Sequence, residues 1–174
     1  SGDARFATYN PSQGGDSLRG QIIAEFSGQD REGTQLWSIA PYAVARSLRL
    51  VNDYTGFLTD EQNGDTTQQR NDSMTMGLHG KYRKKLGWLS ESDAFEVGTA
   101  GRLDLIEQSQ IRLSRNGGKA TATLVDASLK AADVTAYLGG QIVPWDRLTV
   151  RLGLRADGLF YSSLDRSIDD AGAV

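Results

Sequence analysis

Leu148-Thr149-Val150-Arg151-Leu152-Gly153-Leu154-Arg155-Ala156-Asp157-Gly158-Leu159-Phe160-Tyr161 is the stretch that decides the fold. Its even positions, Leu148, Val150, Leu152, Leu154, Ala156, Gly158 and Phe160, are apolar or small, and its odd positions are mostly polar or glycine. A period of two sorts side chains onto opposite faces of a strand. Strands of soluble domains average about five or six residues, whereas a strand crossing the hydrocarbon layer at a tilt needs about 9–11. The length and regularity therefore predict a membrane-spanning strand. Immediately before it comes the tight link Pro144-Trp145-Asp146-Arg147, preceded by Val134, Ala136, Leu138, Gly140 and Ile142 alternating with Thr135, Tyr137, Gly139 and Gln141. Residues 133–161 thus read as one hairpin.

Composition agrees with that expectation. The 174 residues would suit one domain, but the hydrophobic share of 39% is low and the 20 glycines are many for a packed globule. In a membrane barrel only every second strand residue meets lipid, so mean hydropathy stays low. No run approaches the 18 or so apolar residues of a membrane helix. A net charge of −3 and a pI near 5.2 leave no basic stripe for phosphates, so no nucleic-acid partner is expected. The absence of cysteine excludes a disulfide scaffold and thiolate metal sites. The start, Ser1-Gly2-Asp3-Ala4-Arg5, carries no apolar signal region.

In chain order, residues 1–17 read as a loop dense in turn formers. Leu18, Gly20, Ile22, Ala24 and Phe26 then alternate with Arg19, Gln21, Ile23, Glu25 and Ser27, and Gln29-Asp30-Arg31-Glu32-Gly33 is a short turn. In residues 36–57, Trp37, Ile39, Pro41 and Ala43 favour odd positions as the apolar face, while Tyr42, Val44, Leu48, Leu50 and Tyr54 favour even ones. A bulge near Pro41 would reconcile them. Residues 59–70 form a long polar loop. Alternation returns with Met74, Met76, Leu78, Gly80 and Tyr82, and after a modest turn at 84–93 with Phe95, Val97, Thr99, Gly101, Leu103 and Leu105. A long connection follows, containing Arg112 and Arg115-Asn116-Gly117-Gly118-Lys119, with strand extensions such as 120–125.

The expected connections alternate long and short, as external loops and periplasmic turns do in outer-membrane barrels. Trp37, Trp88 and Trp145 fall in or beside the short connections, and Tyr54, Phe57, Phe160 and Tyr161 at the opposite strand ends, which predicts two aromatic girdles at the membrane–water interfaces. A soluble β-sandwich would also alternate. Strand length, the girdles and the Arg, Asp, Glu, Gln and Gly of the other face favour the barrel. About six antiparallel strands are too few to close even the smallest barrels, which have about eight. The predicted fold class is all-β: an antiparallel transmembrane β-barrel, of which the chain is a part.

Asp53-Tyr54-Thr55-Gly56-Phe57-Leu58, then Asn63-Gly64-Asp65, and Pro144-Trp145-Asp146-Arg147-Leu148-Thr149 leading into Gly153-Leu154-Arg155-Ala156-Asp157, together resemble the barrel of TonB-dependent outer-membrane receptors. Pro11-Ser12-Gln13-Gly14-Gly15-Asp16-Ser17 is similar to an external loop of that family. The resemblance spans essentially residues 1–174 and implies a 22-stranded barrel in the bacterial outer membrane, filled by a plug and powered by an inner-membrane energy-coupling complex. The chain has no plug sequence or energy-coupling box, and it ends Gly172-Ala173-Val174 without a terminal aromatic strand. The expectation is an internal stretch of the barrel, with plug and remaining strands outside it. The implied function is import of a scarce nutrient such as a metal–siderophore complex, cobalamin or an oligosaccharide, without catalysis or cofactor. The implied partners are lipid, plug, remaining strands, coupling complex and small-molecule solute.

Candidate chemistry is sparse. Arg102, Asp104, Arg151, Arg155 and Asp157 line the polar face and are candidates for solute contact, though such residues commonly pair with each other or with a plug; Arg115, Asn116 and Lys119 are external-loop candidates. The only histidine, His79, with Asp104 and Ser73 as conceivable partners, would make an outer-membrane hydrolase, one alternative reading. A passive porin is the other. Asp60-Glu61-Gln62-Asn63-Gly64-Asp65 lacks the ligand spacing and distant bidentate Glu of a calcium loop, and Asn116-Gly117-Gly118-Lys119 does not lead from a strand into a helix as a phosphate cradle does. Both read as turns.

Overall fold

A computed structural model describes residues 13–53, 56–58, 60–62, 64–114 and 118–167. The chain is all-β. Its strands are β1 (Gly14–Ile23), β2 (Phe26–Gln29), β3 (Gln35–Asn52), β4 (Thr67–Lys85), β5 (Ala94–Leu113), β6 (Ala120–Trp145) and β7 (Leu148–Asp165). All seven belong to one antiparallel sheet ordered β1-β3-β4-β5-β6-β7, with β2 also beside β3. The sheet is open, with β1 and β2 along one edge and β7 along the other.

β1 and β2 are one edge strand interrupted by chemistry on its neighbour. Ile23 faces Tyr42 and Phe26 faces Ile39, so the register runs through unchanged. Between them the Ala24 N–H donates to the Pro41 carbonyl at 3.1 Å, but Pro41 has no N–H to return. The expected bulge near Pro41 is absent: β3 pairs with β4 without a shift from Gln35 to Asn52. Odd positions of β3 therefore share the apolar face throughout, and Tyr42, Val44, Leu48 and Leu50 stand on the polar one. Two of these pack over small neighbours or against the next strand, which is how a polar face accepts them.

The connections differ from expectation on one side. β4 begins at Thr67, three residues before the predicted loop ends, and the predicted long connection between β5 and β6 shrinks to residues 114–119. Ser114 closes it, its N–H donating to the Lys119 carbonyl at 2.8 Å. Arg112, expected in the loop, belongs to β5. Two register shifts at the tip of this hairpin absorb the residues that broke the period of two.

Directly opposed residues of an antiparallel pair share a face, so register assigns every strand position. One face carries a continuous apolar band: Leu18, Ile22 and Phe26, then Trp37 and Ile39, Met74, Met76, Leu78 and Tyr82, Phe95, Val97, Leu103 and Leu105, Val134, Leu138 and Ile142, and Val150, Leu152, Leu154 and Phe160. Thr99 sits within it and donates its hydroxyl to the Thr135 carbonyl at 2.9 Å, leaving no unpaired polar group there. Toward the 53–66 and 114–119 connections the same face turns charged, with Asp16, Arg49, Arg70, Asp72, Glu107 and Lys130.

Nothing among the described residues covers this band. Leu152 and Leu154 are 75% and 78% exposed, and the buried hydrophobic residues among those described are only Val44, Val51, Ala94 and Leu113. The chain exposes 12959 Å², where a compact soluble monomer of 18.9 kDa exposes roughly 8,300 Å². A single layer has no core of its own.

Aromatic residues gather at the border of the band nearer the short turns. Trp37 and Tyr82 are directly opposed, the Tyr82 ring lies 6.0 Å from Phe95, and the Tyr82 hydroxyl donates to Gln35 at 2.9 Å. A bulge after Ile142 brings Trp145 opposite Leu148 and so onto the same face. The second expected girdle does not form in this way. Phe160 is on the apolar face, but adjacent Tyr161 necessarily points to the other, Phe57 lies in the 53–66 connection, and Tyr54 is outside the described residues.

Candidate functional site: the polar face

The opposite face is built from small residues, polar residues and ion pairs. Arg102 and Asp104 on β5 pair at 2.8 Å, and Thr75, directly opposite on β4, donates its hydroxyl to Asp104 at 2.6 Å. Arg155 and Asp157 on β7 repeat the arrangement at 2.7 Å, with Thr135 opposite on β6 donating to Asp157 at 2.6 Å. The third copy is Arg70 and Asp72 on β4 with Ser47 opposite on β3, at 2.7 and 2.6 Å, on the charged margin of the other face. Each joins Arg-x-Asp on one strand to a hydroxyl on the preceding strand. Residues two apart share a face, so the Arg–Asp half of the motif follows from spacing alone.

These contacts answer where the candidate residues go. Arg102, Asp104, Arg155 and Asp157 pair with each other, and Arg151 donates to the Gln141 side chain at 2.9 Å. Arg115 and Asn116 lie outside the described residues. Lys119 is exposed at the β5–β6 tip and its N–H donates to the Ser114 hydroxyl at 3.1 Å.

The conceivable hydrolase trio does not assemble. His79 stands opposite Ala40 and Ala100, Asp104 is taken by Thr75 and Arg102, and Ser73 is opposite Ile106. Six residues of extended strand separate Ser73 from His79, about 20 Å. His79 instead stacks on Tyr42, centroids 5.6 Å apart and planes at 20°.

Two glycines make room for rings that bridge strands. A Cβ on Gly77 would lie 2.3 Å from the Tyr42 ring, and one on Gly98 would lie 2.4 Å from Tyr137. Each is the direct cross-strand partner of its tyrosine, an arrangement that fills the gap a glycine leaves in a sheet. Tyr137 also donates its hydroxyl to Glu96 at 2.9 Å.

Two turns are locked by carboxylates. Asp30 accepts the N–H groups of Thr34 and Gln35 at 2.7 and 2.9 Å, as well as the Thr34 hydroxyl, and the Gln35 N–H is the chief cause of a carboxyl held below its ordinary range. Asp93 has no exposed surface. It accepts the N–H groups of Leu89 and Ser90 at 2.6 and 3.0 Å, which hold its carboxyl below the ordinary range, and reaches across to the Val143 N–H at 2.8 Å. Neither aspartate carried a signal in the alternation, because both lie outside the periodic runs.

The polar face is asymmetric in charge. On the first four strands it presents Arg19, Arg46, Lys81, Arg83 and Lys85, while on β5 to β7 Arg102 and Arg155 are paired with aspartates and Arg151 is bonded to Gln141. No protein-family model, curated protein or solved structure matches the chain. Among the described residues there is no group of three or more His, Cys, Asp or Glu placed to hold a metal ion.

Proposed function

We propose that this sheet is part of the wall of an outer-membrane β-barrel, and specifically of a TonB-dependent receptor that imports a scarce nutrient. The observation that carries the membrane reading is the uncovered apolar band. On β4 it runs from Met74 to Tyr82, about 27 Å along the strand at roughly 3.4 Å per residue, which at a tilt of roughly 40° rises about 21 Å, comparable with the apolar height of roughly 25 Å found in such barrels. Charged residues bound it at one margin, and Trp37, Tyr82, Phe95 and Trp145 at the other. Interfaces favour such amphipathic rings.

The two free edges support a larger assembly. Unpaired edge strands of this length invite further pairing, which remaining strands of the same barrel would satisfy. The receptor reading rests on the resemblance at the 53–65 and 144–157 segments. The polar face then lines the interior, where a plug and the solute meet it, and the chain contributes contacts rather than catalysis.

The test uses the full-length protein in its own cells. A cysteine at Lys119 should react with a membrane-impermeant thiol reagent in intact cells, and one at Asp146 only after lysis. Labelling of both, or recovery of the protein in the soluble fraction, would remove the membrane reading. Uptake that stops when the inner-membrane proton gradient is collapsed supports a receptor; uptake indifferent to the gradient makes the protein a porin.

A further inference from the structure

The arginines of this chain divide into two groups. Arg70, Arg102, Arg155 and Arg166 each hold a carboxylate within 2.7–2.8 Å. Arg19 and Arg46 are directly opposed on β1 and β3 and, among the described residues, neither has an ion pair. Like charges directly across a ladder destabilise it. The sheet nevertheless sets these two arginines directly opposite one another, and the Arg19 hydrogen bond to Gln21 at 3.0 Å neutralises neither.

Arg102 completes a triangle. It lies on the same face, directly opposite Gly77, and Gly77 is the gap over which Tyr42 lies, with His79 stacked on that ring. Arg19, Arg46, Arg102, Tyr42 and His79 border one depression of about 380 Å³. Two carboxylates stand beside it on this face: Asp104, bonded to Arg102 and Thr75, and Asp133, directly opposite Arg102 on β6. A guanidinium has five donors, so Arg102 keeps donors to spare.

Resting on the transport reading, we propose that Arg19, Arg46 and Arg102, set around the stacked Tyr42–His79 pair, form a site for an anionic solute carrying carboxylate or phosphate groups. The guanidiniums match such groups in fork geometry, and the stacked rings offer a flat surface to a planar part of the solute. The surrounding charge reinforces the choice. Lys81, Arg83 and Lys85 extend the cationic wall toward the short turns, where the carboxylates of Glu25, between β1 and β2, and Glu96, facing Arg83 from β5, adjoin it. A wall with an excess of one sign concentrates counter-charged solutes beside it.

The experiment measures binding of pyrene-1,3,6,8-tetracarboxylate to the purified full-length protein in detergent micelles by fluorescence anisotropy. Inorganic pyrophosphate serves as competitor and neutral 1-pyrenemethanol as control. The tetracarboxylate should bind in a salt-sensitive manner and be displaced by pyrophosphate. R46Q should weaken it about three- to tenfold and R19Q/R46Q at least tenfold, on the scale of lost charge-assisted hydrogen bonds at an exposed site. R46K should recover part of the loss. K130Q, on the opposite face, should bind as the wild type does. Wild-type protein that does not bind the anion, a double variant with unchanged affinity, equal binding of 1-pyrenemethanol, or an equal loss in K130Q would each overturn the site. Both arginines are exposed, so their replacement leaves folding intact. The outcome is separable from the membrane reading, because anion affinity is scored on the folded protein and topology by labelling in cells.

Discussion

The carboxylate of Asp93, in the turn between β4 and β5, accepts the backbone N–H of Val143 at 2.8 Å from the far side of the next hairpin. Val143 lies in the bulge between Ile142 and Trp145, where the β6–β7 ladder shifts register and leaves a donor without a ladder partner. Asp93 supplies the acceptor and ties two successive turns together. D93A should therefore lower the unfolding midpoint in micelles and speed amide exchange at Leu89, Ser90 and Val143 together. Exchange that quickens at Leu89 and Ser90 alone would disconnect the two turns.

The same carboxylate sets a pH dependence. Its folded pKa is depressed, the Leu89 and Ser90 N–H groups being the main cause, so its contribution is complete above the ordinary carboxylate range near pH 4 and fades as pH falls through the folded value. Wild type should lose its advantage over D93N on acidification. A gap between the two that is constant from pH 7 to pH 2 would contradict this.

Gly77 and Tyr42 should be energetically coupled. A Cβ at position 77 would sit 2.3 Å from the ring, so G77A is expected to cost about 1–3 kcal/mol by overpacking. In a Y42A background the same change should be nearly neutral. Equal costs in the two backgrounds would mean that the ring does not depend on the glycine.

The faces of β7 make opposite demands if the band meets lipid. L152R places a charge within the band and should cost about 2–4 kcal/mol of folding free energy in bilayers, whereas R151L removes a guanidinium bonded to Gln141 on the other face and should leave assembly intact. A larger loss in R151L would reverse the assignment.

Pro41 is a further test of the register. In P41A the restored N–H should be protected from exchange, because the carbonyl of Ala24 is its partner across the antiparallel pair. Rapid exchange of that amide would show that the edge strand is detached there.

The fold was legible wherever the period of two held. The 148–161 alternation matches β7, and the Met74–Tyr82 and Phe95–Leu105 runs match the apolar positions of β4 and β5. Residues 36–57 misled because Tyr42, Val44, Leu48 and Leu50 are hydrophobic residues on the polar face, and hydropathy cannot distinguish a tyrosine over a glycine from one in a band. The 106–132 segment hid its strands because its outward residues there, Glu107, Ser128 and Lys130 among them, lie past the apolar margin. Of the polar face, Arg102, Asp104, Arg155 and Asp157 could be picked out one by one. Their threonine partners follow only from register, and the opposition of Arg19 to Arg46 needs the cross-strand alignment that no single strand contains.

β1 and β2 run end to end along one edge, and from β3 onward every strand lies beside its predecessor in the chain, with no crossover. Such a meander has no element that locks the others in place when the molecule is stretched. A mechanical load applied beyond Asp165 would open β7 from β6 rung by rung, then β6 from β5, each step releasing a contour length set by the 18 residues of β7 or the 26 of β6. The resistance of the molecule to pulling would be a staircase rather than a single rupture, with each hairpin a separate tread.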